Sequence, residues 1–261
     1  MKPKLPVLTF HPLHSRVKAF STTRQGGVSR GVYGEFNINP FCGDRPQAVA
    51  ANRAALCQLL CIDDTRLLMP HQTHGTEVRI IAKEFLSLSV TARQLLLEGV
   101  DSLITSLPDV CIGVSTADCI PILLYDEQHH VAAAVHAGWR GTLQRIVEKT
   151  LAVMQQSFGT RPDHLHACIG PGISCANFEV GDEVYHAFAQ AGFDMTSISC
   201  RQAKWHIDLP ACNRLQLLEA GVSADTISDS CICTYDQADR YFSARRLGVE
   251  SGRIYNGIML M

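Results

Sequence analysis

The stretch VCIGVSTADCIPILLYDEQHHVAAAVHAGWRG, residues 110–141, constrains the fold more than any other part of the chain. Apolar, β-branched runs at 110–116 and 120–125 are separated by Ala117-Asp118-Cys119, and a third at 130–136 follows the polar turn Asp126-Glu127-Gln128. Runs of this length and composition predict three successive strands. Pro121 has no N–H to offer a ladder, so the chain must bend or lie at a sheet edge near Cys119. Two strands joined by a tight turn return the chain to its starting end, which places Cys119 near His136.

Around this hairpin the sequence alternates less regularly. Strands are predicted at roughly 76–82, 164–169, 196–200, 226–234 and 254–260. Helices are predicted over 44–60, with Asp44 as N-cap, Pro46 in its first turn and Arg53 on its inward side; over 142–159, ending at Gly159; over 181–192; and from Asp208 and Pro210 to Gly221. Because strands come partly in consecutive pairs, the expected class is α+β, with mixed sheets packed together and covered by helices on the outside. With 261 residues and no repeat, low-complexity tract or linker, one domain spanning 1–261 is expected.

Composition narrows the function. A net charge of −2 with 18% charged residues leaves no basic footprint for nucleic acid and no cationic helix for a membrane surface, so small polar substrates are favoured. Pro6, His11, Pro12 and His14 interrupt the N-terminal stretch, which does not read as a signal peptide, and the most apolar run contains Asp118 and Pro121, which argues against a membrane span. The eleven cysteines, scattered without C-x-x-C pairs, read as reduced thiols of a cytoplasmic protein, most of them core residues.

HQTHGTEV, 71–78, offers His71 and His74 just before a predicted strand. His74, Cys119 and His136 would form a three-ligand set of the kind catalytic zinc uses, with a position left for water or substrate. Spacing alone leaves the alternative open that these are packed or hydrogen-bonded side chains.

Several blocks carry a resemblance to a known family: HQTHG, STADCIPILLYD, AAAVHAGWRGT, IGPGIS with FEVGDEV, HIDLPACNRLQLLEAGV, ICTY and RYFSARR with GRIYNGI. Together, from about Ser21 to Ile258, the chain resembles the laccase-domain (YfiH) family, first named as polyphenol oxidases and later described as purine nucleoside phosphorylases with adenosine deaminase activity. The resemblance implies layered α/β/β/α architecture, a catalytic zinc on His74, Cys119 and His136, and purine nucleoside and phosphate as substrates. It implies no nucleic-acid or membrane partner, and a monomer or homodimer.

Within that frame, Arg140, next to a proposed ligand and just before a helix expected to start near Thr142, is the first candidate for phosphate; the alternative is a structural arginine beside a packed Trp139. His71 is a candidate catalytic or substrate contact, or a capping histidine. Arg24 in STTRQGGVS, Asn37 in EFNIN and Arg245 in RYFSARR are candidate substrate contacts. Deamination would need a general acid or base, for which Asp118 and Glu179 are the candidates; the H-x-E and P-C-x-x-C signature of the known zinc nucleobase deaminases is missing.

Three other readings remain. A copper oxidase would need recurring His-x-His pairs, whereas only His164-x-His166 occurs; copper can still compete for a Cys/His site. A metal-free cysteine hydrolase needs only Cys119 as nucleophile and His136 as base. Editing of peptidoglycan precursors is a further role described in the family. The chain also departs from the family pattern: the interval from His74 to Cys119 is long, with a helical piece at 91–98 that forms either a flap over the site or a surface helix. In IGPGISCANFEV, Cys175 lies two residues before Asn177 rather than in the family's cysteine pair, so a cysteine role in that loop is left open.

Overall fold

The computed structural model describes residues 5–261, so Met1–Lys4 of the N-terminal stretch lie outside the described residues. A six-stranded mixed sheet runs in the order Ile227–Asp229, Leu165–Ile169, Ile120–Asp126, Val131–Ala137, Val100–Thr105, Glu77–Ile81. A five-stranded sheet runs Leu8–His11, Val17–Thr22, Ile254–Leu260, Cys111–Thr116, Leu67–Leu68. A small antiparallel ribbon of Glu179–Val180, Trp205–Ile207 and Ser199–Arg201 lies apart from both.

Strand parity builds the layers, because successive side chains on a strand point to opposite faces. On the central strand, Val131, Ala133 and Val135 pack outward with Val147, Leu151 and Met154 of helix Ile146–Phe158 and Leu217 of helix Leu209–Glu219. The intervening Ala132 and Ala134 pack inward, with Leu123 and Tyr125, against Ala19, Ile112, Val114 and Ile258 of the second sheet. On that sheet's far face Phe20, Cys111, Tyr255 and Met259 meet Leu56, Cys57 and Leu60 of helix Pro46–Leu60. The order is helix, sheet, sheet, helix, as the resemblance implies, and His136 takes the next inward position after Ala134.

The hairpin register is Ile120↔Ala137, Pro121↔His136 through Asp126↔Val131. Asp126, fully buried, closes the turn by accepting hydrogen bonds from Gln128 N at 2.9 Å and His129 N at 3.0 Å. Pro121 is not at a sheet edge; it sits one residue inside a central strand, and the expected break is made at Asp118, whose φ of 87° lies in the left-handed region.

Other expectations need correction. The helix expected over 142–159 is two helices, Trp139–Leu143 and Ile146–Phe158, split at Arg145, whose φ is 61°. Asp44 does not cap the helix over 46–60: its carboxylate is turned to Ser29 Oγ at 2.6 Å and Asn37 Nδ2 at 3.1 Å. Arg53 is on the rim of that helix rather than inside, paired with Asp64 at 2.9 Å. Residues 196–200 begin as a helical turn, Met195–Ile198, because Asp194 caps it through Thr196 N; only Ser199–Arg201 is strand. The strand expected over 226–234 stops at Asp229, where Asp229 Oδ1 accepts from Cys231 N at 2.7 Å and Cys231 turns to φ 53°. All eleven cysteines are free thiols.

Candidate metal centre

Three elements deliver the predicted ligands. Cys119 precedes the first residue of its strand, His136 sits near the end of the neighbouring one, and His74 lies in the loop between the His71↔Glu98 bridge and strand Glu77–Ile81. One ligand atom from each lies within 4.8 Å of the others, and the two imidazoles meet edge to face with centroids 4.9 Å apart.

Asp101, which sequence reasoning missed, holds this arrangement. Its carboxylate accepts from His136 Nδ1 at 2.7 Å and from the backbone N–H groups of Thr73 at 3.3 Å, His74 at 3.1 Å and Gly75 at 2.8 Å. Fully buried, it thus fixes the ring of one candidate ligand, His136, and the backbone of another, His74. With Nδ1 donating to Asp101, His136 presents Nε2 toward the cluster. Nothing local in VDSLIT signals this role. Both His74, at φ 63°, and Asp118 hold left-handed backbone, a conformation that costs about 1–3 kcal/mol per residue and persists where the surroundings enforce it.

Electrostatics favour a thiolate beside positive charge. Burial opposes ionisation of Cys119, but the charge of His136 and hydrogen bonds from His136 and His74 outweigh it and hold the thiol at about 6. Burial likewise opposes a charged His136, and the Cys119 thiolate with Asp101 overcomes it, lifting the imidazole to about 9. A site that stabilises a thiolate and a positive charge at Nε2 suits a divalent cation, and two imidazoles with one thiolate are donors zinc accepts. Backbone space agrees: a Cβ on Gly138 would lie 3.0 Å from Cys119 Sγ, 3.1 Å from His74 Cδ2 and 3.8 Å from His136 Cε1. Glycine keeps that cradle open.

Two hollows meet at the cluster. One, of about 310 Å³, is lined by Asn39, Phe41, His71, Gln72, Ser115 and Arg253 besides the three candidate ligands. The other, of about 400 Å³, shares His74 and Cys119 and adds Asp118, Ile173, Phe178 and Arg245. In the first, the Phe41 and His71 rings stack at 4.2 Å, and His71 Nδ1 is 2.7 Å from Glu98 Oε1. Gln72 grips Ser115, donating to its carbonyl at 2.9 Å and accepting from its N–H at 2.7 Å.

The remaining candidates divide. Arg245 lines the second hollow; its backbone N–H donates to Asp118 Oδ2 at 2.7 Å, while Asp118 Oδ1 accepts from Thr234 Oγ1 at 2.7 Å. Asn37 is buried behind the first hollow, where its Oδ1 accepts from Arg253 N at 3.1 Å and Asn39 N at 3.2 Å. Arg24 clamps a loop, donating to Gly34 O at 2.9 Å and Ala238 O at 2.6 Å. Arg140 is exposed, its guanidinium 4.1 Å from the Trp139 ring centroid, outside both linings. Glu179 pairs with Lys204 at 2.7 Å on the surface. The helical piece predicted at 91–98 is Val90–Leu96; it lines neither hollow, and beyond its end Glu98 braces His71. Sequence reasoning also missed Asn39, Phe41, Gln72 and Arg253; Gln72 and Asn39 were within reach, since they sit inside the HQTHG and EFNIN blocks.

Comparison with known proteins adds to this geometry. Residues 18–261 match the family model described as "Multi-copper polyphenol oxidoreductase laccase". A "Purine nucleoside phosphorylase" of Bacteroides thetaiotaomicron is 48% identical over 95% of this chain and 93% of its own length. "Adenosine deaminase RL5" from an unknown prokaryotic organism is 42% identical over 98% of both chains. The crystal structure of Bacillus licheniformis hypothetical protein YfiH superposes with a TM-score of 0.91 at 25% identity, over 99% of this chain and 97% of that one.

Proposed function

This chain belongs to the family described as multi-copper polyphenol oxidoreductase laccase, and from that premise we propose that it is a zinc-dependent purine nucleoside phosphorylase with adenosine deaminase activity. The observation that carries the reading is the convergence of His74, Cys119 and His136, braced by Asp101, where two hollows meet. The names of the two relatives supply the substrate class: purine nucleosides, with phosphate for the first reaction.

His74, Cys119 and His136 would hold the ion, which when bound supplies a Lewis acid facing both hollows. The Phe41–His71 stack, with Asn39, Gln72 and Ser115 beside it, gives the first hollow an aromatic wall and polar edge groups suited to a purine nucleoside. Arg245 puts a guanidinium on the second hollow; its two Nη atoms rest on the Glu179 carbonyl at 3.2 Å, a contact that a phosphate can replace with stronger, charge-assisted bonds. Asp118 is assigned to holding Arg245 rather than to proton transfer, since both its oxygens are engaged. Phosphate therefore falls to Arg245 in preference to Arg140, and Arg24 and Asn37 support loops behind the site. Among the described residues no helix is long and apolar enough to cross a membrane. Eleven free thiols favour a reducing, cytoplasmic setting.

The decisive experiment incubates metal-quantified protein with adenosine and inosine, with and without phosphate, and reads free base, ribose 1-phosphate and inosine. Phosphate-dependent base release and inosine formed from adenosine are expected. Product from neither nucleoside overturns the function. One observation favours a second reading: a Cys119 thiol at about 6 beside an imidazole at about 9 is also the pairing of a metal-free cysteine hydrolase. Removal of metal by a chelator abolishes activity under the first reading and spares it under the second.

A further inference from the structure

The turn of the central hairpin lies at the other end of the strands from Cys119, about 25 Å away at roughly 3.3 Å per extended residue. Three ligand-type side chains from separate elements converge there: His14, in the turn before strand Val17–Thr22; Glu127, in the hairpin turn; and His166, in strand Leu165–Ile169. Glu127 Oε2 is 3.2 Å from His166 Nε2 and 3.5 Å from His14 Nε2, and the three ligand atoms lie within 4.8 Å of one another.

Those separations have a chemical meaning. A tetrahedral zinc ion with bonds of about 2.0–2.2 Å sets its ligand atoms about 3.3–3.6 Å apart. Both contacts to Glu127 already fall close to that spacing. The scaffold is fixed on each side: Glu127 N donates to His164 O at 3.1 Å, Glu127 O accepts from the Arg16 guanidinium, and His166 is held opposite Tyr125 by the strand register. The His14 and His166 rings lie 5.1 Å apart on the same side of Tyr125, with centroids 5.0 and 6.4 Å from its own. Side-chain exposures of 21%, 41% and 22% leave the cluster open to an ion from solvent without dispersing it.

We propose that His14, Glu127 and His166 form a second divalent-metal site, taking a borderline first-row ion such as zinc with water as the fourth ligand, and that it pins the loop joining the first two strands of the five-stranded sheet to the hairpin of the six-stranded sheet. His14 Nδ1 accepts from Arg16 N at 3.1 Å, so without an ion its hydrogen is on Nε2. Binding moves that hydrogen to Nδ1 and releases the Arg16 N–H to solvent; His166, whose Nε2 donates to Glu127 Oε2 at 3.2 Å, shifts its hydrogen to Nδ1 in the same way, and the Glu127 carboxylate exchanges both donors for the ion. The site is independent of the nucleoside chemistry proposed above.

Cobalt(II) separates the two sites, because a thiolate ligand gives an intense near-ultraviolet charge-transfer band that imidazole and carboxylate ligands lack. Apoprotein is titrated with cobalt(II) and, separately, zinc(II). Wild type is expected to take two equivalents, one of which adds no charge-transfer band. His14→Gln and His166→Gln each lower the stoichiometry from two to one, keep the band and the nucleoside turnover, and lose part of the metal-dependent rise in Tm. Cys119→Ser loses the band and keeps the other equivalent. A single equivalent in wild type with the band intact, or two equivalents retained by His166→Gln, overturns the second site and reduces the cluster to a hydrogen-bonded one. A single equivalent without the band supports it while counting against the Cys119 centre.

Discussion

Gly138→Ala tests the geometry of the ligand cluster while leaving the backbone unstrained. Gly138 has φ −68° and ψ 169°, a conformation alanine adopts freely, so the substitution by itself narrows the unfolded ensemble and is worth about 0.4–1 kcal/mol in favour of folding. Its cost arises from the added methyl, 3.0 Å from Cys119 Sγ and 3.1 Å from His74 Cδ2. Carbon contacts are comfortable only from about 3.5 Å, so each ligand has to retreat by roughly 0.4–0.5 Å. Metal–ligand distances tolerate about 0.2 Å, so the displacement exceeds what the ion accepts. Zinc affinity is expected to fall about tenfold to a hundredfold, the range seen when ligand positioning is disturbed, with phosphorolysis falling in step at limiting zinc. The assay is competition against a chromophoric chelator, with the Tm of the metal-free protein as control for overpacking, expected to cost no more than about 1–3 kcal/mol. Unchanged zinc affinity together with wild-type turnover would show that the three side chains do not close on an ion at this point.

Two other perturbations probe what surrounds the cluster. Asp101→Asn leaves one amide oxygen for donors that now share two carboxylate oxygens, His136 Nδ1 and the N–H groups of Thr73, His74 and Gly75. Zinc affinity should drop about tenfold or more, and denaturant unfolding should register a loss of about 1–3 kcal/mol; wild-type values for both would remove Asp101 from the site. His11 is buried, 2.9 Å from Ser21 Oγ, and burial pushes its pKa from 6.5 down to about 4. With the folded value below the unfolded one, the unfolded chain takes the proton first, so stability is intact above pH 6.5 and is lost as pH falls toward 4, by about 3 kcal/mol at most. Urea midpoints across that window should fall more steeply for wild type than for His11→Gln; parallel slopes would mean that His11 is protonated in the fold.

The sequence alone determined the central hairpin and two of the proposed ligands it carries. Apolar runs of matched length, a turn closed by Asp126 and the strict parity of a strand leave no choice but to return His136 to the level of Cys119 and to turn it inward after Ala132 and Ala134. These are local rules, and they hold wherever a hairpin is buried. His74 was legible only through the HQTHG block, because its loop is placed by Asp101, and Asp101 reaches the site through a pairing fixed far along the chain: Ser102 opposite Val135 sets Asp101 beside His136. Adjacency in sequence misled for Arg140, because the chain changes direction at Gly138 and the guanidinium lies outward on Trp139, whereas Arg245 and Arg253 arrive at the hollows from more than a hundred residues away. The same holds for His14, Glu127 and His166, whose meeting depends on which strands neighbour each other. Local periodicity sets the face a side chain takes, but strand order and register, chosen by burial of both sheets at once, decide which distant faces share a site.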